Sequence, residues 1–179
     1  MPTRRQTIIG LTSAAAGGAV LSAGAFTSSV SAGADMRVVV VSDLRLEPAR
    51  EDNQYVNVED DEIEIVIEKL NQRAFTDFGQ LVRIVNEGNV GYDRLTFEFS
   101  VLDDSGPEAA SVMGVVSEGT DVAEDDDTFV IEPEGGLGPG ESITFGVTVN
   151  FLPSRDAELT DFPDSEAELE LNIIAERLE

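Results

Sequence analysis

From Ser142 to Phe151 the chain reads Ser-Ile-Thr-Phe-Gly-Val-Thr-Val-Asn-Phe, with every odd-numbered position apolar and every even-numbered one small or polar. A period of two puts one set of side chains on each face of an extended strand. Such a segment is stable only when its apolar face is covered by another layer. The same alternation returns at Phe97, Phe99 and Val101, at Leu169, Leu171, Ile173 and Ala175, and at Ile63, Ile65 and Ile67. Less regular runs rich in β-branched residues cover Val38–Val41, Leu81–Val85, Val112–Val116 and Thr128–Ile131. About eight strands are expected in all.

Turn residues separate these runs. Asn86-Glu87-Gly88-Asn89 follows one strand, Asp103-Asp104-Ser105-Gly106-Pro107 another, and Gly135-Gly136-Leu137-Gly138-Pro139-Gly140-Glu141 leads into the cleanest. No window carries a long amphipathic helix, and Glu108–Val116 has room for one short turn at most. The acidic stretches Glu47–Glu62 and Glu118–Asp127 read as loops. Strands joined by turns without intervening helices predict an all-β fold, an antiparallel two-sheet β-sandwich of jelly-roll or Ig-like type. Phe97, Phe99, Phe129, Phe145 and Phe151 are its expected interior.

The first 34 residues have a different character. Arg4 and Arg5 precede an uncharged run, Ile8 to Ala34, padded with Ala, Gly, Ser and Thr. A basic start, a modest apolar middle and a small-residue end describe an export leader. Twin arginines followed by Ile8-Ile9 resemble a Tat signal, whose translocase carries folded passengers. Ala32-Gly33-Ala34 predicts cleavage after Ala34, leaving a β-sandwich domain of residues 35–179, with Val30-Ser31-Ala32 as the other candidate. Retention as an N-terminal anchor is the competing reading. The expected location is the cell surface or the extracellular space, with no membrane span left after cleavage. At the other end, Ala175-Glu176-Arg177-Leu178-Glu179 is charged and does not read as an apolar anchor.

Beyond the leader, nine cations face 36 carboxylates, a formal charge of −27, and Lys69 is the one lysine among the nine. Such a charge repels phosphates, so nucleic acid is not an expected partner. Acid excess with arginine in place of lysine suits molar salt, where the Debye length falls to about 3 Å and self-repulsion costs little.

The chain contains no Cys, His or Trp. Thiolate nucleophiles, Ser-His-Asp triads and Cys- or His-based transition-metal sites are thereby excluded. A carboxylate pair for glycoside hydrolysis lacks an aromatic cleft, with only Tyr55 and Tyr92 as tyrosines, and Lys69 reads as the solvated end of a strand. No enzymatic activity is expected. Glu59-Asp60-Asp61-Glu62 and Glu124-Asp125-Asp126-Asp127 are hard-oxygen clusters, read first as solvated loops. Within them Asp125 and Asp127 are the candidate calcium ligands, and calcium is the one cofactor considered.

The leader Arg4-Arg5-Gln6-Thr7-Ile8-Ile9-Gly10-Leu11, then Gly24-Ala25-Phe26-Thr27-Ser28, resembles those of small haloarchaeal surface proteins. Arg37-Val38-Val39-Val40-Val41-Ser42-Asp43 follows it at once. The turns Ile84-Val85-Asn86-Glu87-Gly88-Asn89 and Leu137-Gly138-Pro139-Gly140-Glu141-Ser142 are similar to those of exported sandwich domains. The combination resembles an uncharacterised haloarchaeal Tat-exported family and, more distantly, camelysin/TasA-like fibre subunits and archaeal bundling pilins. The TasA-like resemblance implies a jelly-roll subunit polymerising by donor-strand exchange, with Val38, Val39, Val40 and Val41 as donor strand and a second copy as partner. The expected function is thus a haloadapted structural protein that assembles into fibres or a matrix. The alternative is a monomeric surface module binding a ligand through loops such as Glu118–Asp127.

Overall fold

The computed structural model describes residues 32–41, 43–59, 62–70, 74–102, 108–125, 128–152 and 167–177. These form β1 (Ala32–Val41), β2 (Leu44–Pro48), β3 (Val56–Glu59), β4 (Glu62–Leu70), β5 (Phe75–Asn86), β6 (Arg94–Val101), α1 (Glu108–Ser111), β7 (Met113–Ser117), β8 (Val122–Asp125), β9 (Thr128–Ile131), β10 (Ser142–Asn150) and β11 (Ala167–Glu176). Two sheets face each other. One has seven strands in the order β3-β4-β1-β11-β6-β9-β8, and the other has four in the order β2-β5-β10-β7. The chain is the expected all-β sandwich. Its described pairings are antiparallel except one, that of β1 with β11.

The period-two pattern is what closes the sandwich. Phe145, Val147 and Val149 of β10 point inward, as do Leu95 and Phe97 of β6 and Leu169, Leu171 and Ile173 of β11, all buried. Phe97 meets Phe145 across the two layers with ring centroids 5.1 Å apart. Each such side chain stabilises the fold by about 1.5–3 kcal/mol through removal of apolar surface from water. Phe99 and Phe129 pack edge to face at 5.8 Å.

Three strands depart from expectation: β2 and β3 fall in the stretch read as an acidic loop over Glu47–Glu62 and just before it, and β8 falls in Glu118–Asp127. All three lie at sheet edges and span only five, four and four residues. An edge strand needs one ladder, and its charged side chains blunt further pairing, so the alternation that marks a covered strand is weak. In β8, Ala123, Glu124 and Asp125 are all exposed.

Two turns noticed in the sequence meet at one end of the sandwich. Asn86 is fully buried. Its Nδ2 donates to the carbonyls of Val90 (2.7 Å) and Leu137 (2.9 Å), and its Oδ1 accepts from the Gly88 amide at 3.0 Å. The Asn86 amide donates to Glu141 O, and its carbonyl accepts from Gly140 N at 2.8 Å. The Glu141 carboxylate accepts from Gly138 N at 2.6 Å, closing the second turn on itself. One buried amide therefore locks the Asn86–Gly88 turn to the Leu137–Glu141 turn. A buried polar group is tolerable when satisfied in this way.

In the middle of the four-stranded sheet β5 bulges, and the register shifts between Phe145 and Val147. A Cβ on Gly146 would stand 2.0 Å from the Phe78 carbonyl oxygen, so no larger residue fits there.

Candidate functional site

The sequence-expected donor segment is the C-terminal half of β1. That strand lies inside the seven-stranded sheet, between β4 and β11. Against β11 it runs parallel from Ala34↔Ala167 to Val41↔Ile174, and against β4 antiparallel from Ala32↔Leu70 to Val38↔Ile63. Both backbone edges of β1 are thus engaged from Ala34 to Val38, and beyond Val38 the strand is held by β11 alone. Its inward side chains are Ala34 and Met36, both fully buried, and Val38, 4% exposed. They sit in register with Ile63, Ile65 and Ile67 on one side and Ala167, Leu169 and Leu171 on the other. Val40 is half-buried against the core. Val39 is half-buried on the opposite face with Asp35 and exposed Arg37. Of Val41, the backbone pairing alone is described. Arg37 Nη2 meets Glu62 Oε1 at 2.7 Å, an exposed ion pair that contributes little.

Sequence reasoning named four valines and missed the two most deeply seated residues, Ala34 and Met36. The signal was present, because Ala34, Met36, Val38 and Val40 alternate with Asp35, Arg37 and Val39. The valine run masked that alternation by filling both faces.

A two-residue link separates β1 in one sheet from β2 in the other. The corner is held at Asp43, whose carbonyl accepts from the Glu87 amide at 3.2 Å. Arg45 Nε donates to Glu87 Oε1 at 2.5 Å, and its Nη1 pairs with Glu47 at 2.9 Å. Glu47 also takes Arg83 Nη1 at 3.1 Å. The hydrogen bond to Glu87 and its charge raise the Arg45 pKa above the ordinary arginine value. That contribution is complete below the usual arginine range and is lost only at pH above it, so Arg45 is cationic wherever the fold is studied. Without β1, the β3–β4 hairpin would stand apart from β11, β6, β9 and β8 across a slot one strand wide.

The calcium expectation falls on β8. Asp125 is exposed at the end of that edge strand, while Asp127, like Arg4 and Arg5, lies outside the described residues. Among the described residues no group of three or more carboxylates converges as metal ligands. Beside Asp125 the positive charge is Arg94, which pairs with Glu132 Oε1 at 2.7 Å. The hydrogen bond to Glu132 raises the Arg94 pKa first, with smaller contributions from Glu176 and Asp125. Glu59 and Glu62 of the other acidic cluster are cross-strand partners in the β3–β4 hairpin.

A cleft at the β5 bulge is lined by Arg50, Asn53, Tyr55, Asp77, Phe78 and Gln80. Gln80 holds a left-handed backbone, φ 55°, uncommon for a residue with a side chain. Its side chain accepts from Arg50 Nη2 at 2.8 Å and donates to Glu118. These contacts tie the bulge to two neighbouring loops. No helix among the described residues is long and apolar enough to cross a membrane.

No family model matches the chain, and no curated protein matches it either.

Proposed function

We propose that this chain is a haloadapted, Tat-exported structural subunit of the cell surface or extracellular space. Copies join by passing β1 of one into the slot between β4 and β11 of the next. The observation that carries the reading is the seat of β1. It is the first described strand, it lies inside a sheet with a neighbour on each side, and it connects to the body through two residues. A strand added from outside normally takes an edge. An N-terminal strand in an internal slot can instead be withdrawn and replaced by an identical strand from a neighbour with every contact conserved, and short hinges favour that exchange.

The remaining edges support the same reading by being poor templates. β8 exposes Glu124 and Asp125, β3 ends in Glu59, β2 carries Arg45 and Glu47 and ends in Pro48, which has no amide hydrogen, and β7 lies against β8 and β9. Two copies of so acidic a chain repel at such edges, whereas the slot is apolar within and satisfies the backbone on both sides. The distant resemblance to TasA-like subunits and bundling pilins fits this mode. On this reading the protein catalyses nothing and needs no cofactor.

Negative-stain microscopy in molar salt tests it, comparing the leader-free protein with a version lacking β1. The proposal expects filaments from the first, none from the second, and shortening of filaments by excess synthetic Ala32–Val41 peptide. Uniform single particles from the intact protein at every concentration would refute it and turn attention to loop-mediated ligand binding.

A further inference from the structure

We infer that leader processing cuts the Ala32–Gly33 bond and leaves Gly33 as the first residue of the mature protein. This rests on the export reading above. Judged by side-chain size alone, Ala32-Gly33-Ala34 is the better site and predicts cleavage after Ala34. The fold argues otherwise. The Ala34–Asp35 bond lies where β1 is hydrogen-bonded into both neighbours, with Ala34 in register with Ala167 and Ile67, and Asp35 with Glu168 and Val66. The Ala34 side chain is fully buried. A peptidase binds its substrate as an extended segment with a free backbone edge and inserts the side chain before the cut into its own pocket. Reaching Ala34 means unzipping both ladders and withdrawing a core residue.

Ala32 is placed differently. The pairing with β11 begins at Ala34, so Ala32 is held by β4 alone, opposite Leu70 and past a register shift between Ala32 and Ala34. The bond after Ala32 therefore lies beyond the last position where both ladders hold the strand, and it is reached by fraying of the strand end, the lowest-energy opening available. Because a Tat-type leader is removed from a passenger that is already folded, this difference decides the site. The reaction is hydrolysis by a membrane-bound leader peptidase. Water adds across the Ala32–Gly33 amide, leaving the carboxylate on Ala32 of the leader and the ammonium on Gly33. The mature chain then keeps Ala34 to fill its place beside Ala167.

The full chain is expressed in a halophilic host with active Tat export, and the exported protein is characterised by intact mass and N-terminal sequencing. Gly33 at the N-terminus is expected. Asp35 at the N-terminus overturns the inference while leaving the export reading standing; retention of Met1 or the twin arginines overturns both. Val30→Lys supplies a second arm, since it spoils the position three residues before the cut for the Ala32 site and leaves the Ala34 site untouched. Loss of at least nine-tenths of processing is expected, and unchanged processing sinks the assignment. Purified 33–179 should also melt above 35–179 by about 4 °C in the same salt, through the contacts of Ala34; equal midpoints would remove the reason for keeping it.

Discussion

Gly146 and Asn86 show how single residues hold this sandwich in shape. Gly146→Ala forces a methyl group into the Phe78 carbonyl, 2.0 Å away, across a rigid ladder. The expected loss is about 3 kcal/mol by denaturant unfolding in molar salt. Gly119 is the opposite case. Its φ of +78° is left-handed, which that of Gly146 is not, but a Cβ there meets nothing within 4 Å, so Gly119→Ala should cost only about 1 kcal/mol. Equal effects at the two sites would mean that the ladder around Gly146 relaxes the close approach at little cost. Asn86→Ala takes the side-chain donor from the Val90 carbonyl and leaves the Leu137 carbonyl with the Tyr92 amide alone. A loss of about 3 kcal/mol is expected, with hydrogen exchange of the Gly140 amide accelerating as the two turns part.

Among the elements, β1 stands out by its seat. Met36→Ala, which opens a cavity between β4 and β11, should lower stability by about 2–4 kcal/mol. Lengthening the β1–β2 link by three or four glycines and serines should leave that stability nearly unchanged and shift the population towards closed monomers, read by light scattering. A loop that relaxes the hinge removes the incentive to exchange strands. Unchanged scattering would show that the link does not govern assembly.

The sequence displayed those elements unevenly, for physical reasons. Covered strands such as β10 and β11 were plain because burial on one face imposes period two. The edge strands β3 and β8 and the end of β2 look like loops in the sequence because solvent tolerates polar side chains on both faces. Turn chemistry at Asn86–Gly88 and Leu137–Glu141 was visible, but not that the two turns share one buried amide, since that contact joins distant segments. The interior place of β1 is hidden for the same reason. Its parallel partner β11 lies at the far end of the chain, and local pattern carries no strand order. The spacing of Asp125 and Asp127 puts both on one face as candidate ligands, whereas the nearness of Arg94 to Asp125 is a contact between distant segments that spacing does not carry.

Seen whole, the molecule is a small apolar sandwich under a strongly acidic surface. Beyond residue 34 the formal charge is −27. At 0.1 M salt the Debye length of about 10 Å lets these charges repel across the surface, and at 1 M it shrinks to about 3 Å. The melting midpoint should therefore rise with sodium chloride, by roughly 10 °C or more between 0.1 and 2 M. A flat profile would show that the acidic surface is not a handicap at low salt.

If β1 of one copy fills the slot of another, crosslinking reads it directly, because the chain has no cysteine of its own. Val39→Cys on β1 and Asn172→Cys on β11 are paired in register, on the outer face of the sheet. Neighbouring strands bring such residues within disulfide reach. After oxidation in molar salt and a denaturing, non-reducing gel, the account predicts a ladder of covalent multimers that collapses on reduction. A single monomer band carrying an internal crosslink, at every concentration, would contradict it.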